Sequence, residues 1–245
     1  MGWRAGIVGA PLLALLASSV GAGQDVLSAS YADPTRRYGH GILGDDVEWG
    51  TLVLQIDTCA ECARVTRETR RIILPKSRVF EDLAPRVQDL DGDGLNEVIV
   101  IETDTSQGAR LSVYGPEGLI AATPYIGRTH RWLAPVGAAD LDGDGAVEIA
   151  YVDRPHLAKT LRIWRYQNGK LSHVADQPGL TNHRIGEDFI SGGIRDCGQG
   201  PEIVTVDAGW QQIVATRFDG TAFNMTDVAP FNGPDSFAPV LACRR

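Results

Sequence analysis

Short apolar runs bounded by acidic residues recur along this chain and predict β-strands. Three of them begin at a glutamate and end at an acid, at 97–102, 148–153 and 202–207. A second apolar run follows each and ends in an aromatic residue and a glycine turn, as at 161–166 before Asn168-Gly169. Such turns favour tight hairpins, because both turn residues tolerate positive φ. No stretch after residue 22 shows helical periodicity, so the expected fold class is all-β.

The runs recur with a period of about 50 residues, which is typical of β-propeller blades. Aligned on the opening glutamate, the four registers are Glu48, Glu97, Glu148 and Glu202. A further strand before each loop gives about four short strands per unit. We therefore predict a β-propeller of four four-stranded blades over residues 23–245. A lone first strand at 238–243 leaves the number of blades open between four and five.

The sequence Asp-Leu-Asp-Gly-Asp-Gly occurs twice, at 89–94 and 140–145, each time three residues before a glutamate. Alternate carboxylates in a tight loop suit a hard cation, and they repel one another without one. An EF-hand is excluded, because its position 12 is Val100 or Tyr151 here and flanking helices are absent. The alternative is a pair of solvated acidic turns. The registers of Glu48 and Glu202 have too few carboxylates for a metal site.

This repeated loop resembles the DxDGDGxxE motif of the FG-GAP/VCBS-repeat β-propellers, the family that includes the integrin α-subunit head. The resemblance implies that each loop joins the first and second strands of a blade and binds one calcium ion. The implied ligands are the carboxylates of Asp89, Asp91, Asp93 and Glu97 with the carbonyl of Leu95, and those of Asp140, Asp142, Asp144 and Glu148 with the carbonyl of Ala146. The Phe-Gly and Gly-Ala-Pro signatures are absent from the repeats over residues 23–245, so the chain is more similar to the bacterial VCBS branch.

The first 22 residues have the composition of a secretory signal peptide. Arg4 precedes an apolar stretch at 5–17 and the small-residue cleavage site Val20-Gly21-Ala22. The stretch is shorter than the ~20 residues of a membrane span, and no other segment is apolar enough to be one. We expect cleavage near Ala22 and a periplasmic or secreted protein. The net charge of −8 argues against nucleic-acid binding, which requires a basic surface.

Four cysteines form an even set, which favours two disulfides in an exported protein. Cys59 and Cys62 form a Cys-x-x-Cys pair, which we interpret as a local disulfide across a hairpin tip. The alternative, a thioredoxin-like redox pair, requires a following helix and a βαβ context. Cys197 and Cys243 are then left to pair with each other. We predict that this disulfide fastens the C-terminus beside the degenerate fourth loop.

Basic and aromatic residues recur just before each first strand and form the candidate ligand-binding set. Its members are Arg37, Tyr38, Arg78, Phe80, Arg131, Trp132, His183 and Arg184. In a propeller these segments lie around the central channel, on the face opposite the calcium loops. Such a ring suits an anionic ligand or a sugar. The alternative is that the aromatic side chains pack between blades and the charges are solvated.

Catalytic motifs are missing from the sequence, so we assign no enzymatic activity. The five histidines are scattered over separate segments without metal-ligand spacing, and the acids that end the strands, such as Glu102, are interpreted as polar loop residues. We expect an exported calcium-binding propeller that acts as a binding module for a protein or glycan. The alternatives are a hydrolase or lyase on this scaffold, and a structural part of an envelope assembly.

Overall fold

A computed structural model describes residues 23–244, so the predicted signal peptide at 1–22 lies outside the described residues. Strands make up 51% of the structure and helices 4%, which confirms the all-β class. The strands form three antiparallel sheets, none of which closes on itself. Among the described residues, no helix is long and apolar enough to cross a membrane.

The first sheet contains eight strands in the N-terminal half of the chain. They are β1 (Asp25–Thr35), β2 (Glu48–Asp57), β3 (Arg67–Ile73), β4 (Arg78–Phe80), β5 (Arg86–Gln88), β6 (Glu97–Asp104), β7 (Gly108–Gly115) and β8 (Gly118–Ala122). Their order is β1-β2-β4-β6-β7-β8, with β3 also paired to β2 and β5 to β6. The short strand β4 therefore connects an N-terminal group of strands to the unit β5–β8.

The second and third sheets repeat the same four-stranded unit. The second contains β9 (Leu133–Ala139), β10 (Val147–Asp153), β11 (Thr160–Gln167) and β12 (Lys170–Pro178); the third contains β13 (Leu180–Thr181), β14 (Gly193–Asp196), β15 (Pro201–Asp207), β16 (Gln212–Phe218) and β17 (Phe223–Pro230). The repeated units are β9–β12 and β14–β17, in which every strand pairs with the next along the chain; the two-residue strand β13 adds a fifth strand to the third sheet by pairing with β15. The acidic loops join β5 to β6 and β9 to β10, between the first and second strands of a unit.

The core lies between the faces of neighbouring sheets. Ile101 of the first sheet belongs to one cluster with Leu133 and Ile149 of the second, and Ile163 of the second packs in another with Val214 of the third. A strand covered on both faces selects a continuous apolar run, because neither set of alternating side chains reaches water. This explains why the central strands read as runs of valine and isoleucine. Full burial of each such side chain stabilises the fold by about 1.5–3 kcal/mol.

The C-terminal segment departs from the expected fold. The strand predicted at 238–243 is wrong: the chain forms a 3-10 turn at Pro234–Ser236 and helix α1 (Phe237–Leu241). Pro239 falls in the first turn of this helix, where its missing N–H costs no hydrogen bond. Phe237 and Val240 are buried against the third sheet. No described strand pairs with the segment, so packing decides its conformation.

Both predicted disulfides are present. Cys59–Cys62 closes the tip of the β2–β3 hairpin, and Cys197–Cys243 joins the loop before β15 to the residue that follows α1 by two positions. The second bond spans 46 residues of sequence. It therefore fixes the C-terminal helix to the fourth-register loop, as predicted.

Candidate functional site

The first acidic loop gathers its carboxylates by hydrogen bonds to its own backbone. Asp89 accepts the amides of Gly92 and Gly94 at 2.7 and 3.0 Å, and Glu97 accepts the amide of Leu90 at 2.9 Å. Both glycines have positive φ, 77° and 86°, as this tight turn requires. One oxygen each from Asp89, Asp91 and Glu97 lies within 4.8 Å of the others. The loop thus presents converging oxygens at the start of β6.

The second loop repeats this arrangement bond for bond. Asp140 accepts the amides of Gly143 and Gly145 at 2.8 and 3.0 Å, and Glu148 accepts that of Leu141 at 2.9 Å. The carboxylates of Asp140, Asp142 and Glu148 converge in the same way. In both loops the third aspartate stands apart from this group: Asp93 and Asp144 accept the amides of Leu95 and Ala146 at 2.8 and 2.9 Å. The donor set is oxygen only, which suits Ca²⁺.

Burial and mutual repulsion make the charged carboxylates of the first loop unfavourable on their own. Burial, together with the charges of Asp91, Asp93 and Asp89, raises the pKa of Glu97 to about 7. Burial and the neighbouring Asp93 also raise the pKa of Asp91. Within residues 23–244, no arginine or lysine forms an ion pair with these carboxylates. A bound cation is therefore the natural source of compensating charge.

The second loop has an internal source of positive charge. Arg165 on β11 contacts Glu148 at 2.6 Å, Asp142 at 2.5 Å and Asp144 at 2.9 Å. Arg165 lies directly opposite Glu148 in the β10–β11 ladder. In the first unit the equivalent strand β7 ends at Gly115, which has no side chain to fill this role.

The fourth register keeps only two carboxylates of the acidic loop, Asp196 and Glu202. Glu202 is held between Arg195 and Arg217 at 2.8 and 2.7 Å. Burial alone raises its pKa, but the hydrogen bonds from Arg217 and Arg195 outweigh burial and hold the pKa of Glu202 below its ordinary value. The adjoining loop is closed by the Cys197–Cys243 disulfide. Where the first unit has four carboxylates, the fourth register has two carboxylates, two guanidinium groups and a disulfide.

A pocket at the other end of the sheets collects histidines that the sequence left scattered. His40, His130 and His156 line a cavity of about 280 Å³, and His183 packs behind them. The rings of His40 and His130 stack at 5.2 Å, and His156 Nε2 lies 2.9 Å from His183 Nδ1. Four of the five histidines thus belong to one site. Their spacing in sequence carries no signal, because four separate loops bring them together.

This pocket and the second acidic loop lie at opposite ends of one hairpin. The loop at 140–146 connects the end of β9 to the start of β10. The pocket residues lie at the other ends of the same two strands: 130–132 come before β9, and Arg154 and His156 come after β10. The candidate metal site and the histidine-lined pocket are therefore on opposite edges of the second sheet.

Of the eight candidate ligand residues, Arg131 and Trp132 line the pocket and His183 lies behind it. Trp132 is 2% exposed and donates its indole N–H to the carbonyl of Glu81 at 2.8 Å. Tyr38 is buried too, and its hydroxyl accepts the amide of His130 at 2.7 Å. The aromatic members thus hold the pocket in place from within the core.

The remaining candidates lie outside the pocket. Phe80 is fully buried, and Arg78 binds Glu102 at 2.7 Å. Arg37 donates to the carbonyl of Arg78, and Arg184 stacks on the ring of Trp210 at 4.1 Å. The structure does not bring these four side chains together.

Two buried glutamates were not recognised from the sequence. Glu102 is fully buried in β6, not a loop residue, and is bound by Arg78, Arg110 and Tyr114. Glu81 is also fully buried and joins Thr103 to His40 by short hydrogen bonds of 2.5 Å. Burial raises the pKa of Glu81 to about 8 against the hydrogen bond from Thr103, and burial lowers that of His40 to about 4.

Comparison with known proteins agrees with the repeat geometry. A family model described as FG-GAP-like repeat matches residues 89–151, the segment that contains both acidic loops and the strands β6 to β9 between them. No curated protein and no solved structure matches the chain. Residues 89–151 of this chain therefore form an FG-GAP-type repeat, and this supports the resemblance to that repeat family.

Proposed function

We propose that this protein is an exported, calcium-stabilised β-propeller that acts as a binding module. The observation that carries the proposal is the bond-for-bond identity of the two acidic loops, whose carboxylates converge on one point each. Turns that were merely solvated would have no reason to keep this arrangement twice. The FG-GAP-like repeat supports a protein-binding β module.

Calcium fits the donors better than other ions do. The side chains that converge offer oxygen only, which disfavours zinc, and Mg²⁺ demands a near-ideal octahedron that a flexible carboxylate loop rarely supplies. Asp89, Asp91, Asp93 and Glu97, with the Leu95 carbonyl, would hold the first ion. The second ion would take Asp140, Asp142, Asp144, Glu148 and the Ala146 carbonyl. When bound, calcium neutralises the loop and ties the first strand of a unit to the second.

The propeller and its location extend this proposal. Three four-stranded units and an N-terminal group of strands support a count of four blades, and the helix found where a strand was expected at 238–243 argues against a fifth. The two disulfides support an oxidising compartment, as does the signal-like composition of residues 1–22. We place the protein in the periplasm or outside the cell.

Recognition is assigned to the edge that carries the histidine-lined pocket. The alternative of a hydrolase or lyase gains support from the His40–Glu81 pair, since a carboxyl group that orients an imidazole is common in acid–base catalysis. However, a pKa of about 4 makes His40 a weak base at neutral pH. Binding is therefore favoured over catalysis.

A thermal melt of residues 23–245 with calcium or chelator tests the metal half of the proposal. Calcium bound only by the native state raises Tm by mass action. We expect the shift at about 1 mM calcium to shrink in Asp89→Asn/Asp91→Asn and to persist in the control Asp45→Asn/Asp46→Asn, whose carboxylates belong to the degenerate first register. An unchanged Tm in wild type at this concentration would refute calcium binding.

The proposed recognition site is tested with probes of several chemical classes, because the proposal does not fix the class of the ligand. A fragment library of neutral, cationic, anionic and sugar compounds is screened by ¹H–¹⁵N spectra of the calcium-loaded protein. We expect at least one class to shift the resonances of residues 130–132 and 154–157. Shifts confined to other surfaces, or none, would remove the pocket as the recognition site.

A further inference from the structure

We propose that the histidine-lined pocket binds a ligand that carries one carboxylate on an apolar body. This inference rests on the proposed binding function and names the chemistry of its ligand.

The positive charge of the pocket comes from Arg131. Its guanidinium donates to the carbonyl of His130 at 2.7 Å, and it forms no ion pair within residues 23–244. Arg154 also lines the pocket, but two bonds of 3.0 and 2.8 Å to Asp153 offset its charge. Asp153 carries only one negative charge, so it cannot also neutralise Arg131, and the residues that line the pocket keep a surplus of about one positive charge.

The hydrogen bonds fix where the ring protons are. His183 donates from Nε2 to the carbonyl of Glu187 at 3.0 Å, so its Nδ1 is an acceptor. His156 must then donate from Nε2 to His183 at 2.9 Å. The carboxyl of Glu81, protonated at neutral pH, donates to Nδ1 of His40, which leaves the Nε2–H of His40 as a donor. A neutral donor beside an unpaired guanidinium suits a carboxylate.

A metal ion is excluded by the same bonds. Three of the four ring nitrogens of His156 and His183 are already in hydrogen bonds, and Nδ1 of His40 is occupied by Glu81. Within the described part of the chain, the groups of metal-ligating side chains that converge are the two acidic loops, not this pocket.

Apolar side chains supply the rest of the lining. Leu157 and Ile185 are 64% and 72% exposed, which is unusual for such large hydrophobic side chains, and Ile42 and Trp132 form the inner wall. Exposed apolar residues beside a charged group mark a site for an amphipathic ligand. The cavity of about 280 Å³ is near the lower limit of ~300 Å³ for drug-sized ligands. It suits a small carboxylate or the C-terminal residue of a peptide.

One surplus charge selects a monoanion. A phosphate dianion would bring a second negative charge into a partly closed site whose lining residues include no further unpaired cation. A neutral amide of the same shape would leave Arg131 without its partner. Carboxylate, amide and phosphate-ester analogues therefore separate the contributions of charge and shape.

Calorimetry at pH 7 with phenylpropionate, phenylpropionamide and phenylethyl phosphate, which is mostly a dianion at this pH, tests the inference on the calcium-loaded protein. We expect the carboxylate to bind about tenfold more tightly than either analogue, a difference of ~1.4 kcal/mol. Arg131→Gln should weaken binding of the carboxylate by about tenfold and leave binding of the amide unchanged. The matched control Arg36→Gln removes an exposed pair with Asp46 and should change neither. Tm with calcium verifies that each variant is folded.

A second set of ligands tests whether the carboxylate belongs to a peptide C-terminus or to a free small molecule. A tetrapeptide that ends in phenylalanine with a free C-terminus is compared with its amide and with phenylpropionate. Tighter binding of the free peptide indicates a chain terminus, and tighter binding of phenylpropionate a free small molecule; both support the inference. Equal binding of acid and amide, no effect of Arg131→Gln, or no binding of any carboxylate overturns it. If sugars or neutral fragments still occupy the pocket, the binding function stands and only the ligand class is wrong.

Discussion

Arg165 makes the two acidic loops differ in a measurable way. Its guanidinium contacts Glu148, Asp142 and Asp144 at 2.9 Å or less, in the region where the second calcium ion would bind. Arg165→Gln removes this charge and keeps a polar side chain of similar length. We expect the variant to lose stability without calcium and to recover most of it with calcium.

The magnitude follows from burial. The side chain of Glu148 is fully buried and that of Arg165 is 24% exposed. Removing one partner of a fully buried ion pair costs about 3–5 kcal/mol, so partial exposure reduces the expected loss in chelator to about 2–3 kcal/mol. For a domain of this size that is a Tm decrease of roughly 4–12 °C. With saturating calcium, the ion replaces the guanidinium and the difference should fall below about 1 kcal/mol.

Urea unfolding in chelator and in calcium measures both differences. Arg162→Gln is the matched control, because Arg162 lies on the same strand but binds Asp176 at 2.7 Å, away from the loop. Its loss should be equal in the two buffers. An equal loss for Arg165→Gln in chelator and calcium would show that the guanidinium and the ion do not share the site.

Three further outcomes test other parts of the structure. Because burial raises the pKa of Glu81 to about 8, the wild type has its full stability from this group below pH 4.5 and loses it as the pH rises through 8. Glu81→Gln does not titrate, so between pH 5 and pH 9 its free energy of unfolding, measured in urea, should rise by more than about 1 kcal/mol relative to that of the wild type. The pKa of Glu102 is lowered by Arg110 and Arg78 despite burial, so Glu102→Gln should cost about 3 kcal/mol at pH 7, and calorimetry should show the difference disappearing below pH 4. Cys197→Ala/Cys243→Ala opens a 46-residue loop and should cost about 4 kcal/mol, whereas Cys59→Ala/Cys62→Ala should cost under about 2 kcal/mol by the same unfolding assay.

The acidic loops and their strands are predictable because their signals are local. Ligand spacing, glycine turns and an apolar run all fall within about fifteen residues, and the repeat shows them twice. The Cys197–Cys243 pairing follows from the even count and the alignment of registers. Secondary structure at 237–241 does not follow, since Phe237 and Val240 pack on a sheet that the local sequence does not describe.

The pocket and the buried glutamates depend on contacts between distant segments. His40 and His130 stack although 90 positions separate them, and neither lies in a motif. Glu102 ends an apolar run like a surface residue, but arginines from β4 and β7 compensate its charge in the core. The sequence pattern indicates which acidic residues stand at strand ends, but it does not indicate which arginines pair with them. Which charges compensate one another in the core can therefore be read only from the folded structure.

Calcium titration of the metal-free protein by calorimetry tests the central claim most directly. We expect two ions per chain, the tighter one at the loop that has no arginine, with dissociation constants no higher than the ~10⁻³ M of weak extracellular sites. Asp89→Asn/Asp91→Asn should abolish the tighter event and Asp140→Asn/Asp142→Asn the weaker one. No calcium heat in wild type, or a stoichiometry that neither pair of substitutions changes, would contradict the assignment of the two loops as calcium sites.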